Sequence, residues 1–340
     1  MPQLCEEALN AGDVKISGAD LTQPLFVRDS WFDRLHAGCF AGLTAVTVEG
    51  RSGKTRCRLR LLETAPGRLT ALANWYSFRW LPQIEGADIE TAADAMTSAF
   101  RSARVHAYRL TLSPVPAECG YIDNISTALR RAGWTTGTVL VSRSHWLETN
   151  GRSFAEWWAN RPGRLRSTVQ RKGKKGLVAC FIHQQFSDAL WDEYEAVYAA
   201  SWKGAEGNPQ FLRAWARKAA SEGALRLGIA RIDGRAVAVQ FWTLDAGTAH
   251  IHKLAQISDA EIEARSPGTL LSHAMFAHAF DIDHAHRIDF GTGDDGYKRD
   301  WMEQSGDLFT ITAVDLRQPR GWWSLVRDGL TRVAGRLHKS

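Results

Sequence analysis

Apolar and polar positions along this chain recur with two periods, and each change of period marks an element. Trp31, Phe32, Leu35 and Phe40 fall at helical spacing, so Trp31–Phe40 reads as a helix. Leu43–Val48 and Arg56–Leu62 alternate as strands do, and the turn residues from Glu49 to Lys54 join them into a hairpin. Leu69–Trp75 is a third strand and Ile89–Ala103 a helix with Ala, Met and Phe on one face. Ala107–Leu112 is a strand that Ser113-Pro114-Val115-Pro116 should break. Asn124–Ala132 is a short helix stopped by Gly133, and Trp134–Leu147 is mostly strand. These elements form an α+β segment closing near Asn150.

The pattern then resumes. Ser153 is placed to cap Phe154–Trp158. Leu177–His183 is a strand, and Asp188–Trp202 a helix with Leu190, Trp191, Tyr194, Val197 and Tyr198 on its apolar side. Asn208-Pro209 opens the helix Gln210–Ser221, which Gly223 ends. Leu225–Arg231 and Ala236–Leu244 make a hairpin about Asp233-Gly234, and Thr248–Leu254 extends it to a meander. A Ser266-Pro267-Gly268 turn opens a helix from Thr269 to Asp281. The strand His286–Phe290 follows and runs into a loop of glycines and acids ending at Tyr297, Lys298 and Trp301. Leu308–Leu316 is the last strand. The expected division is therefore 1–150, 151–318 and a tail, 319–340. The two halves share a loose order of elements, as a duplication would leave, with no residue-level repeat. In Arg320–Lys339, Trp322, Val326, Leu330, Val333 and Leu337 line one face and basic residues flank it. Such a helix suits docking on the domain or peripheral contact with an anionic membrane.

Composition narrows the class. At 44% hydrophobic and 23% charged, the chain is ordinary for a soluble protein, and no apolar run is long enough to span a bilayer. The first ten residues carry acids and no apolar core, unlike a secretory signal, which makes the cytoplasm the expected location. Five cysteines stand singly, without C-x-x-C spacing, against both a disulfide framework and a structural zinc. His273 and His278 are five apart and no carboxylate completes a metal triad, so no metal is expected. The net charge of +5 suits an anionic ligand such as a nucleotide cofactor, without pointing to DNA. Among 14 tryptophans, Trp75, Trp80, Trp157, Trp158, Trp202 and Trp242 adjoin polar or glycine residues, as in an aromatic-lined cleft or an ordinary core.

The chemistry concentrates in two stretches. Asn160–Lys175 holds seven basic residues and no acid, fit for a donor's phosphates, for the backbone of a tRNA acceptor stem or for a solvated face. The turn before Thr269 offers free helix N–H groups and a positive dipole end, the setting for a phosphate or pyrophosphate. Asp294 and Asp295 are adjacent acids. Partial burial of one beside the other would raise its pKa and make it a base; both could instead hold a cationic substrate. Tyr297 can protonate a leaving group, Lys298 can meet a phosphate or carboxylate, and Trp301 can wall a cleft. Gln240 lies in an apolar strand, where an amide needs a partner, either substrate or buried neighbour. His252 and Lys253 should point to opposite faces, because strand side chains alternate.

The ordered blocks R-S-T-V-Q-R-K-G-K-K, Y-A-A-S-W-K, G-A-L-R-L-G-I-A-R-I-D-G-R-A-V-A-V-Q-F-W, H-I-H-K-L-A, S-P-G-T-L-L and I-D-F-G-T-G-D-D-G-Y-K-R-D-W-M resemble the FemAB-like branch of the GNAT acyltransferase superfamily. Within it they are most similar to BioF2-like acetyltransferase domains, as in cellulose-biosynthesis proteins of the CelD type. The resemblance covers roughly Ser153–Leu316, and N-W-Y-S-F-R-W-L-P is similar to the family's N-terminal half. It implies an α+β fold of tandem GNAT-like (double acyl-CoA N-acyltransferase) mixed sheets flanked by helices. It implies transfer of an acyl group from acetyl-CoA or another acyl-CoA to an amine, on a small-molecule or lipid-linked acceptor of a surface polysaccharide or envelope precursor. Ser266, Pro267, Gly268, Thr269 and Leu270 then hold the cofactor. Asp294, Asp295 and Tyr297 are the catalytic candidates. Ser167, Arg171, Lys172, Gln240, Lys253, Lys298 and Trp301 are the substrate-binding ones. Arg265–Leu270 supplies only part of the usual pyrophosphate motif, arginine/glutamine-x-x-glycine-x-glycine/alanine. Aminoacyl-tRNA, the donor of Fem-type relatives, therefore stays open as an alternative, as does a non-catalytic scaffold that meets the membrane through its tail.

Overall fold

The computed structural model of the protein describes residues 23–86 and 89–322, so the N-terminal arm and the tail helix beyond Trp322 lie outside the described residues. Contacts divide the chain into two units, Met1–Ser142 with Gly306–Ser340, and Arg143–Ser305.

In the first unit, helix α1 (Asp29–Cys39) buries Trp31, Phe32 and Leu35, the residues whose spacing predicted it. Strands β1 (Thr44–Ser52) and β2 (Thr55–Ala65) pair antiparallel as the expected hairpin. Beside β2 lie β3 (Arg68–Ala71) and the unanticipated β4 (Gln83–Glu85). Helix α2 (Ile89–Ala103) precedes β5 (Arg109–Pro116), which pairs parallel with β3. Helix α3 (Tyr121–Arg131) and β6 (Thr135–Glu148) follow, the last residues of β6 belonging to the second unit. Pro114 and Pro116 extend β5 instead of breaking it. The register against its partner strand slips beside them, and such a bulge is where a sheet accepts proline. Gly50 is a contact point: a Cβ there would lie 2.0 Å from the Ala99 nitrogen and 2.3 Å from the Ala95 carbonyl oxygen of α2.

In the second unit, Ser153 and Glu156 cap α4 (Phe154–Ala159) reciprocally, as a capping box does. The basic run forms a helix, α5 (Gly163–Gly173). Its charged side chains have good helix propensity but mask the periodicity, since only Leu165 is buried. Strand β7 (Ala179–His183) leads to α6 (Asp188–Ala199) and α7 (Pro209–Ser221). The meander β8 (Leu225–Ile232), β9 (Arg235–Asp245) and β10 (Thr248–Gln256) is antiparallel, as expected. A short helix α8 (Ala260–Glu263) precedes α9 (Pro267–Asp281), then come β11 (Arg287–Thr292) and α10 (Lys298–Trp301). The sheet of this unit runs β7-β8-β9-β10-β11 and then the end of β6. Successive residues of β9 face opposite layers. Phe241 meets Trp191 of α6 and Trp215 of α7, while Trp242 meets Phe276 of α9. Strand β12 (Gln304–Val314) then pairs antiparallel with β5. Its contacts place Gly306 onward with the first unit, whereas the hydrophobic pattern alone had left this strand in the second.

Among the described residues no helix is long and apolar enough to cross a membrane. Gly50→Ala drives a methyl into the α2 backbone, which cannot yield as a side-chain tip can. The expected loss is about 3 kcal/mol, measured by urea unfolding.

Candidate active site

The site begins at the joint between β10 and β11. These strands run parallel and pair at only three register positions, Thr248↔Arg287, Ala249↔Ile288 and His250↔Asp289. Beyond His250, β10 continues to Gln256 against β9, while Thr292 of β11 pairs with Ser144 of β6. The strands therefore part toward their C-terminal ends. α9, which connects them, starts at that same end.

At the start of α9, Ser266 takes a left-handed conformation (φ 55°) and Pro267 occupies the first turn. The backbone N–H of Gly268 donates to Gln256 Oε1 at 3.2 Å. Thr269 and Leu270, half-buried, complete the turn. Next to it, Lys172, Lys175 and Arg265 line a shallow groove with Leu177, Val178, Ala264 and one acid, Glu261, and Lys172 Nζ donates to the Ala264 carbonyl. Tertiary structure thus brings the basic run to the segment just before Ser266. Ser167 and Arg171 are exposed on α5.

The loop after β11 departs from several expectations. Asp294 and Asp295 are both exposed. Arg299, 3.1 Å from Asp294 Oδ2, holds the Asp294 carboxyl below its ordinary range, and a hydrogen bond from His145 adds to this. Asp294 is thus a fixed negative charge, not a carboxyl raised toward neutrality. Tyr297 is 39% exposed, and burial raises its phenol pKa, with Asp295 adding to the effect. Lys298 is buried and donates to the carbonyls of Thr292 (2.5 Å) and Phe290 (3.3 Å), which ties the loop to β11. Trp301 is no cleft wall. It is 5% exposed and stacks on Phe276 and Trp157, because α10 turns its apolar side into the core. Of the other tryptophans, Trp80, Trp157 and Trp242 are core residues, while Trp75 and Trp202 are exposed.

On the meander, Gln240 Nε2 donates to Ser272 Oγ at 2.7 Å and Gln240 Oε1 accepts from Trp242 Nε1 at 2.9 Å. Its partners are a buried tryptophan and a half-buried serine of the protein itself, and the amide pins the sheet to α9. His252 and Lys253 do not point to opposite faces, since a register shift lies between Ile251 and Lys253. A bulge adds one residue and cancels the alternation. His252 packs on Trp215 of α7, and burial takes its imidazole well below the ordinary pKa. Lys253 reaches Glu206 at 2.9 Å and lies over the Tyr198 ring of α6.

Sequence patterns missed several members of this site. Glu206 sits in an irregular connection with no motif, and Lys203, in the same connection, ends the Y-A-A-S-W-K block without any pattern that marks it as a site residue. His145 lies near the end of β6, 3% exposed, with Nε2 3.2 Å from Asp294 Oδ1. Burial lowers its pKa against the opposing pull of Asp294, which keeps the imidazole neutral near pH 7. Its only sequence signal was a histidine in an otherwise strand-like run. Among the described residues no group of three histidine, cysteine or acidic side chains is placed to hold a metal; His273 instead packs against Phe154 and Trp158.

Burial takes the Lys298 ammonium down from 10.5 to about 8. Between those two pH values the unfolded chain holds more protons at this residue than the folded one, so stability rises with pH across that window. Denaturant titrations of the wild type and Lys298→Met from pH 7 to 10 should show this rise in the wild type alone.

Residues 159–299 match the acetyltransferase (GNAT) domain family. Among solved structures, FemX aligns over 92% of this chain and 95% of its own, with a TM-score of 0.60 at 10% identity. L-PGS from Bacillus licheniformis covers 96% of each chain, with a TM-score of 0.53 at 11% identity. A tandem GNAT protein from the clavulanic acid biosynthesis pathway aligns over 91% of this chain and 93% of its own, with a TM-score of 0.50 at 12% identity. No curated protein sequence matches. At such identities the structural likeness speaks for the fold, and the domain match speaks for the chemistry: the chain is an acyltransferase with a GNAT acetyltransferase domain, built on a FemAB-like α+β fold.

Proposed function

We propose that the second unit moves an acyl group from acyl-CoA to an amine, on an amino sugar or amino acid of a surface-polysaccharide or envelope precursor. The observation that carries this reading is the first turn of α9, which opens beside the groove of Lys172, Lys175 and Arg265. A diphosphate oxygen takes the place of Gln256 Oε1 on the Gly268 N–H, and the three cations supply the remaining charge. From there the thioester extends into the opening where β10 and β11 part. Asp294 and Asp295 hold the acceptor ammonium at the other side. The ammonium gives a proton to water before attack, because Asp294, kept ionised, is a weak base. The amine nitrogen then bonds to the thioester carbonyl carbon and the carbon–sulfur bond breaks. Tyr297, still protonated near neutrality, gives its phenolic proton to the departing thiolate, and the acylated nitrogen releases its surplus proton through water, which restores the phenol.

A second donor, aminoacyl-tRNA, is favoured by one feature. Helix α5 exposes Arg166 and Arg171 on an acid-free stretch, and Arg164, also exposed, would exchange its Asp300 partner for phosphate, which suits a nucleic-acid backbone.

Calorimetric titration with acetyl-CoA, repeated with Gly268→Asp, separates the two. The added Cβ meets only the mobile end of Gln256, at 2.8 Å, so the variant is expected to fold. Its carboxylate repels a phosphate. Micromolar binding (about 8 kcal/mol) that the variant loses supports the acyl-CoA reading. No binding by the wild type, with charged tRNA retained at low salt and released steeply as salt rises, moves the donor to tRNA.

A further inference from the structure

Lys203 lies in the connection between α6 and α7, half-buried, with its ammonium 5.6 Å from the Trp202 ring centre. Among the described residues its Nζ has no hydrogen-bond acceptor and no ion-pair partner. The other charges around it come from separate segments and are largely engaged. Lys253, from the β10 bulge, is 2.9 Å from Glu206, and Glu206 also accepts from the Tyr198 hydroxyl. Lys298 is held by two carbonyls. The Asp295 carboxylate folds toward Gly293 beside Lys298: a Cβ on Gly293 would lie 3.3 Å from Asp295 Oδ2 and 3.2 Å from Lys298 Nζ. Lys203 feels the repulsion of Lys253 and the attraction of Asp295 and Glu206.

A cation partly withdrawn from water with no acceptor of its own is costly, and an arriving anion removes that cost. Asp295, on the same cluster, is a carboxylate open to solvent. Asp295 attracts Lys203 from its own loop, so a plus and a minus from separate segments lie within electrostatic reach of each other. We propose that Lys203 binds a carboxylate of the acceptor while Asp295 holds its ammonium, so that the acceptor is an amino acid, free or at the end of a larger molecule, and not a neutral amino sugar. This rests on the amine-acylation reading above and narrows its substrate class. A neutral amino sugar carries no anion for Lys203 and would leave that charge as it stands.

The test is a binding measurement that needs no acyl donor. The full chain is titrated with each common L-amino acid and with its carboxamide, and Trp fluorescence is followed in the wild type and in Trp202→Phe. At least one amino acid should saturate the signal, and its amide should bind roughly tenfold more weakly or worse. Lys203→Met should erase that discrimination, Lys203→Arg should keep it, and neither should move the affinity for acetyl-CoA. Equal binding of acid and amide overturns the proposal, as does saturation by none of the amino acids. It is also overturned if Lys203→Met weakens acetyl-CoA, which would make Lys203 a contact for donor phosphate. Failure of acetyl-CoA to bind, with amino-acid binding intact, would count against the donor reading alone.

Discussion

The second unit depends on one constraint, the parallel pairing of β10 with β11. Two parallel strands cannot be joined by a tight turn, so the chain must cross from the end of one to the start of the other, and α9 makes that crossing. The crossing puts the helix N-terminus and the loop after β11 at the same end of the pair. Ligands gather at that end in open α/β sheets. Pairing of only three positions lets the strands part there, so the start of α9 lies beside an opening in the sheet. The Gln256–Gly268 bond, from the last residue of β10 to the first turn of α9, shows how short the distance is.

The charges around this opening divide by what burial does to them. Lys298 is nearly dry and its ammonium is weakened, yet it is anchored by backbone carbonyls, and its work is to hold the loop. His145 is dry and neutral. Asp294, in water and beside Arg299, is firmly ionised. Such an arrangement suits recognition of a charged acceptor more than proton abstraction by the protein. Adjacent carboxylates raise one another's pKa only when water is excluded and no cation is near, and neither condition holds at Asp294.

Core packing separates side chains that look alike in one dimension. Trp301 and Tyr297 are four residues apart in one loop, yet α10 turns the first into the stack with Phe276 while the second stays 39% exposed. Gln240 looked like a substrate contact because an amide in an apolar strand needs a partner. The partners turned out to be Ser272 and Trp242, supplied by the helix and by its own strand.

By itself the sequence determined most of the elements: the period-two runs of both hairpins, the capped α4, the Ser-Pro-Gly opening of α9 and the order of the meander are local, set by propensity, capping and turn chemistry. It also determined that a Ser-Pro-Gly turn and an acidic loop lie on either side of one helix. What it could not determine depends on partners distant in the chain. The proline-bearing end of β5, the return of β12 to the first unit and the bulge that turns Lys253 toward Glu206 all follow from register against other strands. The helix hidden in the basic run shows too little apolar surface to leave a period. Lys203, Glu206 and His145 join the site only because strands and connections far apart in sequence are folded to one place. Hydrophobic periodicity records which face of an element is buried; which charges then meet across the opening is decided by tertiary packing alone.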